Sequence, residues 1–449
     1  MNLEKFKEQI FAEGKKYGFT DMELYQDFSR SFELRVFDQE IDHYSINEDR
    51  GLSFRGLMDK KLGYAYTEKL DESSINRLLE NASQNAKIID KKEGVIFSGS
   101  KKYKDLTPFS PELTEVKPED KIELVKTLEK EALSRDKRVT AVNYCIYADD
   151  EIENRIINTR GIDLYYRNNF AYMFISVVAR DGDEIRSTSK FVSTKDFNKL
   201  DTSKLACEAV DETISLFGAK SLPSGNYPVI LRHDVAASIL ATFSSTLSAE
   251  NVQKGMSLFA GKIGERVAAP LVNIIDDPFM KGGFRTTPFD DEGVATRKKN
   301  IVDSGTLTTY LHNLKTAIKD GVETTGNAYR GSYKSSINIA PTNMYIEKGN
   351  TSFNELVGSL EEGLVIIDVQ GLHSGADPIS GEFSLSAFGF YVKNGKMVHP
   401  VEQITIAGNF MEILKDIVAI GDDFHMELPQ SGHYGSPSIK IKNLAVAGE

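Results

Sequence analysis

The sequence predicts an α+β protein. An N-terminal part of α/β type has helices bracketing antiparallel strands, and a β-rich C-terminal part follows. Three observations carry this reading. Short alternating segments rich in Tyr, Phe, Leu and Val lie between stretches of helical periodicity. The order helix, strands, helix occurs a second time. Beyond a Pro/Gly/Ser-rich stretch at 221–228, strand patterns joined by Gly-rich turns dominate. At roughly 150 residues per domain, 449 residues suit two or three units. The divisions read are 1–220, with possible similar halves at 1–90 and 118–218, and 221–449.

Leu3, Phe6, Ile10 and Phe11 share one face of a first helix that ends near Tyr17. Strand patterns follow at Met22–Phe28, Ser31–Val36, Ile41–Ser45, Gly51–Leu57 and Gly63–Thr67. Asp71 suits the cap of a helix carrying Ile75, Leu78, Leu79, Ala82 and Ala86. Residues from about Lys91 to Lys117, punctuated by prolines, read as a connector. Pro118 opens the next helix, where its missing N–H costs nothing. Strands are expected at Val139–Tyr147, Glu151–Asn158, Leu164–Asn168 and Ala171–Arg180, then a helix near Asp201–Phe217 stopped by Gly218. Arg50-Gly51-Leu52 and Arg160-Gly161-Ile162 sit at similar places in the two halves. Arg-Gly pairs also occur in many turns, so duplication and ordinary turn chemistry both stay open. After the break at 221–228 come a short strand, Val229–Arg232, and a helix from Asp234 to about Ser248. Strands then dominate to the end, with a few helices among them, turns at Asp303-Ser-Gly305 and Lys393-Asn-Gly395 and a terminal run Ser438–Val446.

Composition excludes several classes. Lys and Arg number 54 against 66 Asp and Glu, a net charge of −12, which argues against a nucleic-acid-binding surface. No run of about 20 apolar residues predicts a membrane span. The charged N-terminal helix is unlike a signal peptide, so a cytoplasmic protein is expected. Two cysteines, Cys145 and Cys207, exclude a disulfide framework and any four-cysteine metal site. Cys207 shares a helix face with Val210 and Ile214 and is expected in the core. No phosphate loop, dinucleotide fingerprint or nucleophile elbow occurs.

Of seven histidines, His43 and His399 read as surface residues, His312 as part of a strand-to-helix passage, and His425 as isolated apart from Asp422 and Asp423. His233 is different, because it stands at a strand–helix junction followed by Asp234. A zinc-peptidase helix needs a second imidazole about one turn on and a Glu to activate water. Here Asp234 is a methylene shorter than Glu and doubles as a plausible helix cap. Ala237 cannot ligate, and Ser238 is a poor ligand. Taken alone this is no metal site, and no catalytic residue is assigned. Gly371-Leu-His-Ser-Gly-Ala-Asp-Pro378 crowds His373, Ser374 and Asp377 together, but a triad rests on geometry, and such a segment describes a turn. With the Gly-rich loop around His433, it could contact a peptide.

The chain as a whole resembles the TldD/PmbA family, historically called modulators of DNA gyrase, and specifically its TldE (PmbA) branch. The N-terminal motifs are Glu33-Leu-Arg-Val-Phe37, Asn47-Glu-Asp-Arg-Gly51 and Leu62-Gly-Tyr-Ala-Tyr66. Later ones are Ser257-Leu-Phe-Ala-Gly-Lys-Ile-Gly264, Asp276-Asp277-Pro278, Phe289-Asp-Asp-Glu-Gly293, Thr324-Thr-Gly-Asn-Ala328 and Asp377-Pro-Ile-Ser-Gly-Glu-Phe383. Gly435-Ser-Pro-Ser-Ile439 and Leu444-Ala-Val-Ala-Gly448 close the series. The resemblance implies a peptidase system in which the TldD branch carries H-E-x-x-x-H and a C-terminal cysteine on zinc, while the TldE branch lacks the full set and pairs with TldD. His233, Asp234 and Ser238 depart from the motif as that branch does, and neither cysteine is near the C-terminal ligand region. The expectation is a non-zinc subunit with no cofactor of its own, zinc in a TldD-type partner, and unfolded or leader peptides as substrate. The alternatives are a stand-alone homodimeric peptide-binding protein and a cryptic non-metal hydrolase using His373 or His433.

Overall fold

The computed structural model describes residues 1–90 and 92–449; of the expected connector, Lys91 lies outside the described residues. The N-terminal elements are α1 (Leu3–Lys16), β1 (Asp21–Phe37), β2 (Glu40–Met58), β3 (Lys61–Thr67), α2 (Glu72–Ile88), α3 (Pro111–Thr114), α4 (Pro118–Arg135), β4 (Val139–Asn158), β5 (Asp163–Asp181), β6 (Glu184–Thr194) and α5 (Thr202–Ser215). They build one antiparallel sheet in the order β3-β2-β1-β4-β5-β6, so two helix–three-strand–helix runs meet along β1 and β4. Asp71 caps α2 through Ser74 N–H, and Pro118 opens α4.

The period-two alternation of a strand divides β1 between two jobs. Met22, Leu24, Phe32, Leu34 and Val36 face the helices, where they are buried in two apolar clusters with α1 and α2 or with α4 and α5. Glu23, Tyr25 and Asp27 face the other way. That far face receives the C-terminal half: Arg330 donates to Glu23 and Ser53, and the Tyr333 N–H donates to Asp27.

The strands are longer than the sequence patterns suggest. The polar run Asn47–Arg50, expected as a turn, stays in β2 because each residue pairs across to β1. Likewise Ser29–Arg30 do not break β1, and β4 and β5 each span what reads as two segments. Backbone pairing, with one neighbour at Asn47–Arg50 and with two at Ser29–Arg30, overrides the low strand propensity of a few charged residues. β6 lacks an apolar signature, being a half-buried, Ser/Thr-rich edge strand after a turn at Gly182. Arg50-Gly51-Leu52 and Arg160-Gly161-Ile162 are not equivalent. The first lies inside β2, whereas Gly161 turns the chain between β4 and β5 with φ +97°. Gly51 is needed for another reason: a Cβ there would sit 2.1 Å from the Tyr333 ring.

In the C-terminal half, β7 (Gly225–Leu231) leads into α6 (His233–Phe243). The short strands that follow are β8 (Ile274–Asp276), β9 (Lys299–Asp303), β10 (Thr306–Leu307), β11 (Ala328–Tyr329), β12 (Asn338–Ile339) and β13 (Asn343–Ile346). Then come β14 (Glu362–Gln370), β15 (Glu382–Lys393), β16 (Lys396–Asn409), β17 (Ile417–Ile420), β18 (His425–Met426), β19 (His433–Ser436) and β20 (Ile439–Ala447). One sheet runs β16-β15-β14-β7-β20-β17, a second β10-β9-β8-β13-β19-β18, and β11 pairs with β12. α6 packs against both six-stranded sheets. Its Val235, Ile239, Leu240 and Phe243 enter the largest apolar cluster, each contributing about 1.5–3 kcal/mol by burial. The Phe243 ring stacks on Phe410 at 4.6 Å. The helix ends at Phe243 and continues as a 3₁₀ turn, Ser244–Leu247, short of the Ser248 expected from sequence.

Candidate functional site

β7 lies parallel to β14 in the middle of its sheet, and α6 begins just beyond its C-terminal end. Such strand ends are where α/β sheets open toward ligands. A cleft of about 880 Å³ opens there, walled by Lys190, Phe191 and Glu212 of the N-terminal half and by His233, His425 and His433 of the C-terminal half.

The start of α6 is not capped by Asp234, contrary to the sequence expectation. Arg232 occupies the cap position, and the His233 N–H donates to Ser438 Oγ at 3.1 Å. Ser438 is itself held by Asp423 through both its N–H and its hydroxyl. Asp234 is taken up by Arg232, whose Nε donates to Oδ1 at 2.8 Å and whose Nη2 donates to Oδ2 at 2.5 Å. Arg232 also pairs with Glu212 and donates to the Ile367 carbonyl, and Lys190 reaches Glu212 at 2.8 Å. Burial alone would raise the Asp234 pKa, but the Arg232 charge and hydrogen bonds outweigh it and hold it at about 2. A carboxylate so engaged is a poor base for activating water.

His233 has one unexpected neighbour. The imidazole of His425 lies 4.9 Å away, centroid to centroid, and Phe191 flanks His425 at 5.2 Å. Pairing of β18 with β19 brings residue 425 back beside this helix. No spacing in the sequence reports that return, and the neighbouring acids Asp422 and Asp423 were the only hint. Burial, and then the His233 charge, push the His425 pKa down to about 4. Glu427 Oε1 stands 3.9 Å from His425 Nε2 without a hydrogen bond, and burial followed by the Asp234 charge lifts Glu427 to about 7. The His233 Nδ1 is also buried and unpartnered.

His433 does not sit on an exposed loop. It is in β19, 1% exposed, with Phe284 stacked on its ring at 4.9 Å. Its Nε2 lies 2.9 Å from the Glu427 carbonyl, which places the proton there, and Nδ1 accepts from the Phe284 N–H. His373, Ser374 and Asp377 lie far along the chain in an exposed turn around the helical turn Leu372–Gly375. Ser374 donates to the Gly371 carbonyl, and Asp377 accepts from Ile379 N–H and the Ser380 hydroxyl, so neither is turned to His373. His312 is buried near the start of the helix Leu314–Asp320, and His43 is exposed. His399 is half-buried against Tyr391 at 5.3 Å. Cys145 is in the core, where burial pushes its thiol up, whereas Cys207 is half-buried and donates to Asp211 instead of packing inward.

The donors at α6 do not fit a catalytic zinc. Helix α6 offers one imidazole, Ala237 and Ser238 stand where a second would be needed, and Asp234 is spent on Arg232. Among the described residues, no group of three or more His, Cys, Asp or Glu could hold a metal ion. None of the helices among them is long and apolar enough to cross a membrane.

Comparison with known proteins places this architecture. Three family models match in order along the chain: PmbA/TldA metallopeptidase domain 1 over residues 22–86, the central domain over 111–217 and the C-terminal domain over 224–448. A Thermotoga maritima protein solved as a candidate modulator of a DNA gyrase is 36% identical. The match covers 99% of this chain and 100% of that one, at a TM-score of 0.92. TldE from Thermococcus kodakarensis is 26% identical over 99% and 100% of the two chains, with a TM-score of 0.90. The Haemophilus influenzae metalloprotease PmbA homologue is 27% identical over 91% of this chain and 88% of its own. With three models matching in sequence order and folds that superpose end to end, the chain belongs to the PmbA/TldD metallopeptidase family.

Proposed function

We propose that this chain is the metal-free subunit of a two-chain, TldD/TldE-type cytoplasmic peptidase. In this reading it supplies one wall of the substrate cavity and an interface for a zinc-bearing TldD-type partner, and the substrate is an unfolded or leader peptide. The observation that carries the reading is the state of the α6 N-terminus: a single helix imidazole, His233, beside a carboxylate, Asp234, already neutralised by Arg232. That set supports a helix kept for its position between two sheets and against the cleft, without the chemistry of a zinc helix. Exposed strand edges suit an extended peptide, which can add its own backbone hydrogen bonds to a sheet.

The test is to purify the chain alone and after co-expression with a TldD-type protein, then to measure bound zinc and cleavage of an unfolded peptide. The expected result is no stoichiometric zinc and no cleavage for the chain alone, with activity in the co-purified pair. Zinc held mole for mole by the isolated chain, or cleavage by it, overturns the reading.

A further inference from the structure

A second cavity, of about 120 Å³, lies between the far face of the N-terminal sheet and loops of the C-terminal half. Tyr25 and Asp27 of β1 and Asn154 of β4 form one wall, and Arg285, Asp291 and Arg330 form the other. Its size is comparable to the ~150 Å³ that accommodates a six-carbon ring in an engineered protein cavity. Phe284 belongs to the walls of both this cavity and the cleft beside α6.

The charges around it are only partly satisfied. Asp27 accepts from the Tyr333 N–H at 3.1 Å and from Asn154 Nδ2 at 3.1 Å. Asp291 accepts from the Arg330 N–H at 2.6 Å and from the Tyr25 hydroxyl at 3.4 Å. Among the described residues, neither carboxylate has a lysine or arginine side chain within ion-pair distance. On the wall facing Asp27, which also holds Asp291, the Arg285 guanidinium rests on the Tyr329 ring at 4.6 Å instead of on a carboxylate. Arg330, whose side chain is 1% exposed, spends Nη1 on Ser53 and Nη2 on Glu23, and its Nε is buried without any acceptor. A buried donor without a partner is costly, and so is a half-buried carboxylate without a cation beside it, as Asp27 is. Burial and then the neighbouring Asp291 charge raise the Asp27 pKa to about 6, as expected of a carboxylate lacking a counter-charge.

An anion without a counter-charge on one wall, Asp27, and two arginines on the other, about a void of this size, match a molecule that carries both charges. We propose that this cavity binds a free α-amino acid of glycine-to-alanine size, its ammonium group on Asp27 and its carboxylate toward Arg285 and the unpartnered Arg330 Nε. Arg285, which has no carboxylate partner among the described residues, can grip a carboxylate with two donors, the geometry arginine favours, and Arg330 adds its Nε.

The test is calorimetric titration of the full chain with glycine, L-alanine and L-leucine, and with acetate and methylammonium as single-charge controls. Glycine or alanine is expected to bind saturably with one site per chain. Leucine and both controls should bind at least about tenfold more weakly. Asp27→Asn, which keeps the hydrogen-bonding shape, and Arg285→Met, at a half-buried position, should each weaken alanine at least about tenfold while the thermal transition persists. The ligand series on the unmodified chain reads the proposal even if a variant fails to fold. Absence of saturable glycine and alanine binding at millimolar concentration overturns it, as does acetate or methylammonium matching alanine, or unchanged affinity in either folded variant. None of these readouts involves peptide cleavage or zinc, so the result stands apart from the peptidase reading.

Discussion

The rings of His233 and His425 lie 4.9 Å apart at the mouth of α6, although one belongs to a helix start and the other to a short strand near the C-terminus. Two imidazoles this close, both part-buried, disfavour a proton on either. His425 should therefore titrate near pH 4 in a histidine NMR titration, and His233→Ala should move that value upward by removing both cover and a neighbouring charge. The stability consequence has a definite sign. The folded-state pKa lies below the free value of about 6.5, so the contribution of His425 is complete above that pH and is lost as pH falls toward 4. Glu427, raised to about 7, works in the opposite sense: its contribution is present below about 4.5 and is lost as pH rises through 7. His425→Phe should accordingly flatten the fall of thermal midpoint between pH about 6.5 and 4, and a slope equal to that of the parent chain would contradict the assignment.

Arg232 is the hub of the cleft's ion pairs. Arg232→Met strands Asp234 in a part-buried setting, while Glu212 keeps Lys190, and should destabilise the chain by about 3 kcal/mol in denaturant unfolding. Asp234, depressed to about 2 with Arg232 present, stabilises the fold above the free carboxylate value of about 3.9, and that contribution is lost as pH falls through 2. Without Arg232 the Asp234 pKa rises, so acid unfolding should begin at higher pH. An unshifted acid limb in the variant would show that Asp234 owes its ionisation to something else.

The two halves of the chain are joined by buried charge. Arg330 and Arg55 both hold Glu23 Oε1, at 2.8 and 2.6 Å, with the Arg330 and Glu23 side chains 1% and 0% exposed. Arg330→Met leaves Glu23 only half compensated and should cost about 3 kcal/mol, with the loss appearing as earlier separation of the two halves in native-state hydrogen exchange. Unfolding at the parental midpoint would argue that Arg55 alone suffices.

Gly51 lies under Tyr333, whose hydroxyl stands 3.0 Å from both Asp49 Oδ1 and Glu68 Oε1 and can donate to one of them. Gly51→Ala should therefore destabilise by about 1–3 kcal/mol, not through backbone strain but by lifting that ring off the sheet. Gly51→Ala combined with Tyr333→Ala should cost less than the sum of the two single changes, and strict additivity would rule out the contact as the cause.

The longer N-terminal helices were the most legible part of the fold, because their apolar spacing and starts (Asp71 capping α2, Pro118 opening α4) are local signals, whereas short C-terminal helices such as Leu314–Asp320 and Phe353–Gly358 were not placed. The turns Asp303-Ser-Gly305 and Lys393-Asn-Gly395 were equally readable, with positive φ at Ser304, Gly305, Asn394 and Gly395. Strand lengths were not, since Asn47–Arg50 is held extended by partners on β1 that no local pattern announces. At the site, the strand–helix junction bearing His233 was visible from the sequence. His425, Ser438 and Asp423 were not, because strand pairing across the C-terminal sheets brings them there. His433 misled for a related reason: a Gly-flanked histidine looks like loop, yet β19 buries it between two strands.

The seam between β1 and β4 has a consequence for how the polypeptide can be divided. On either side of it, each helix–three-strand–helix run is built from hairpins between neighbours in sequence, while the link from 92 to 110 holds no strand or helix. A nick in that link severs none of the hairpins and leaves the seam as the recognition surface. Two separately produced pieces, one ending and one beginning there, should find each other and restore the native molecule, making this family member a scaffold for fragment complementation.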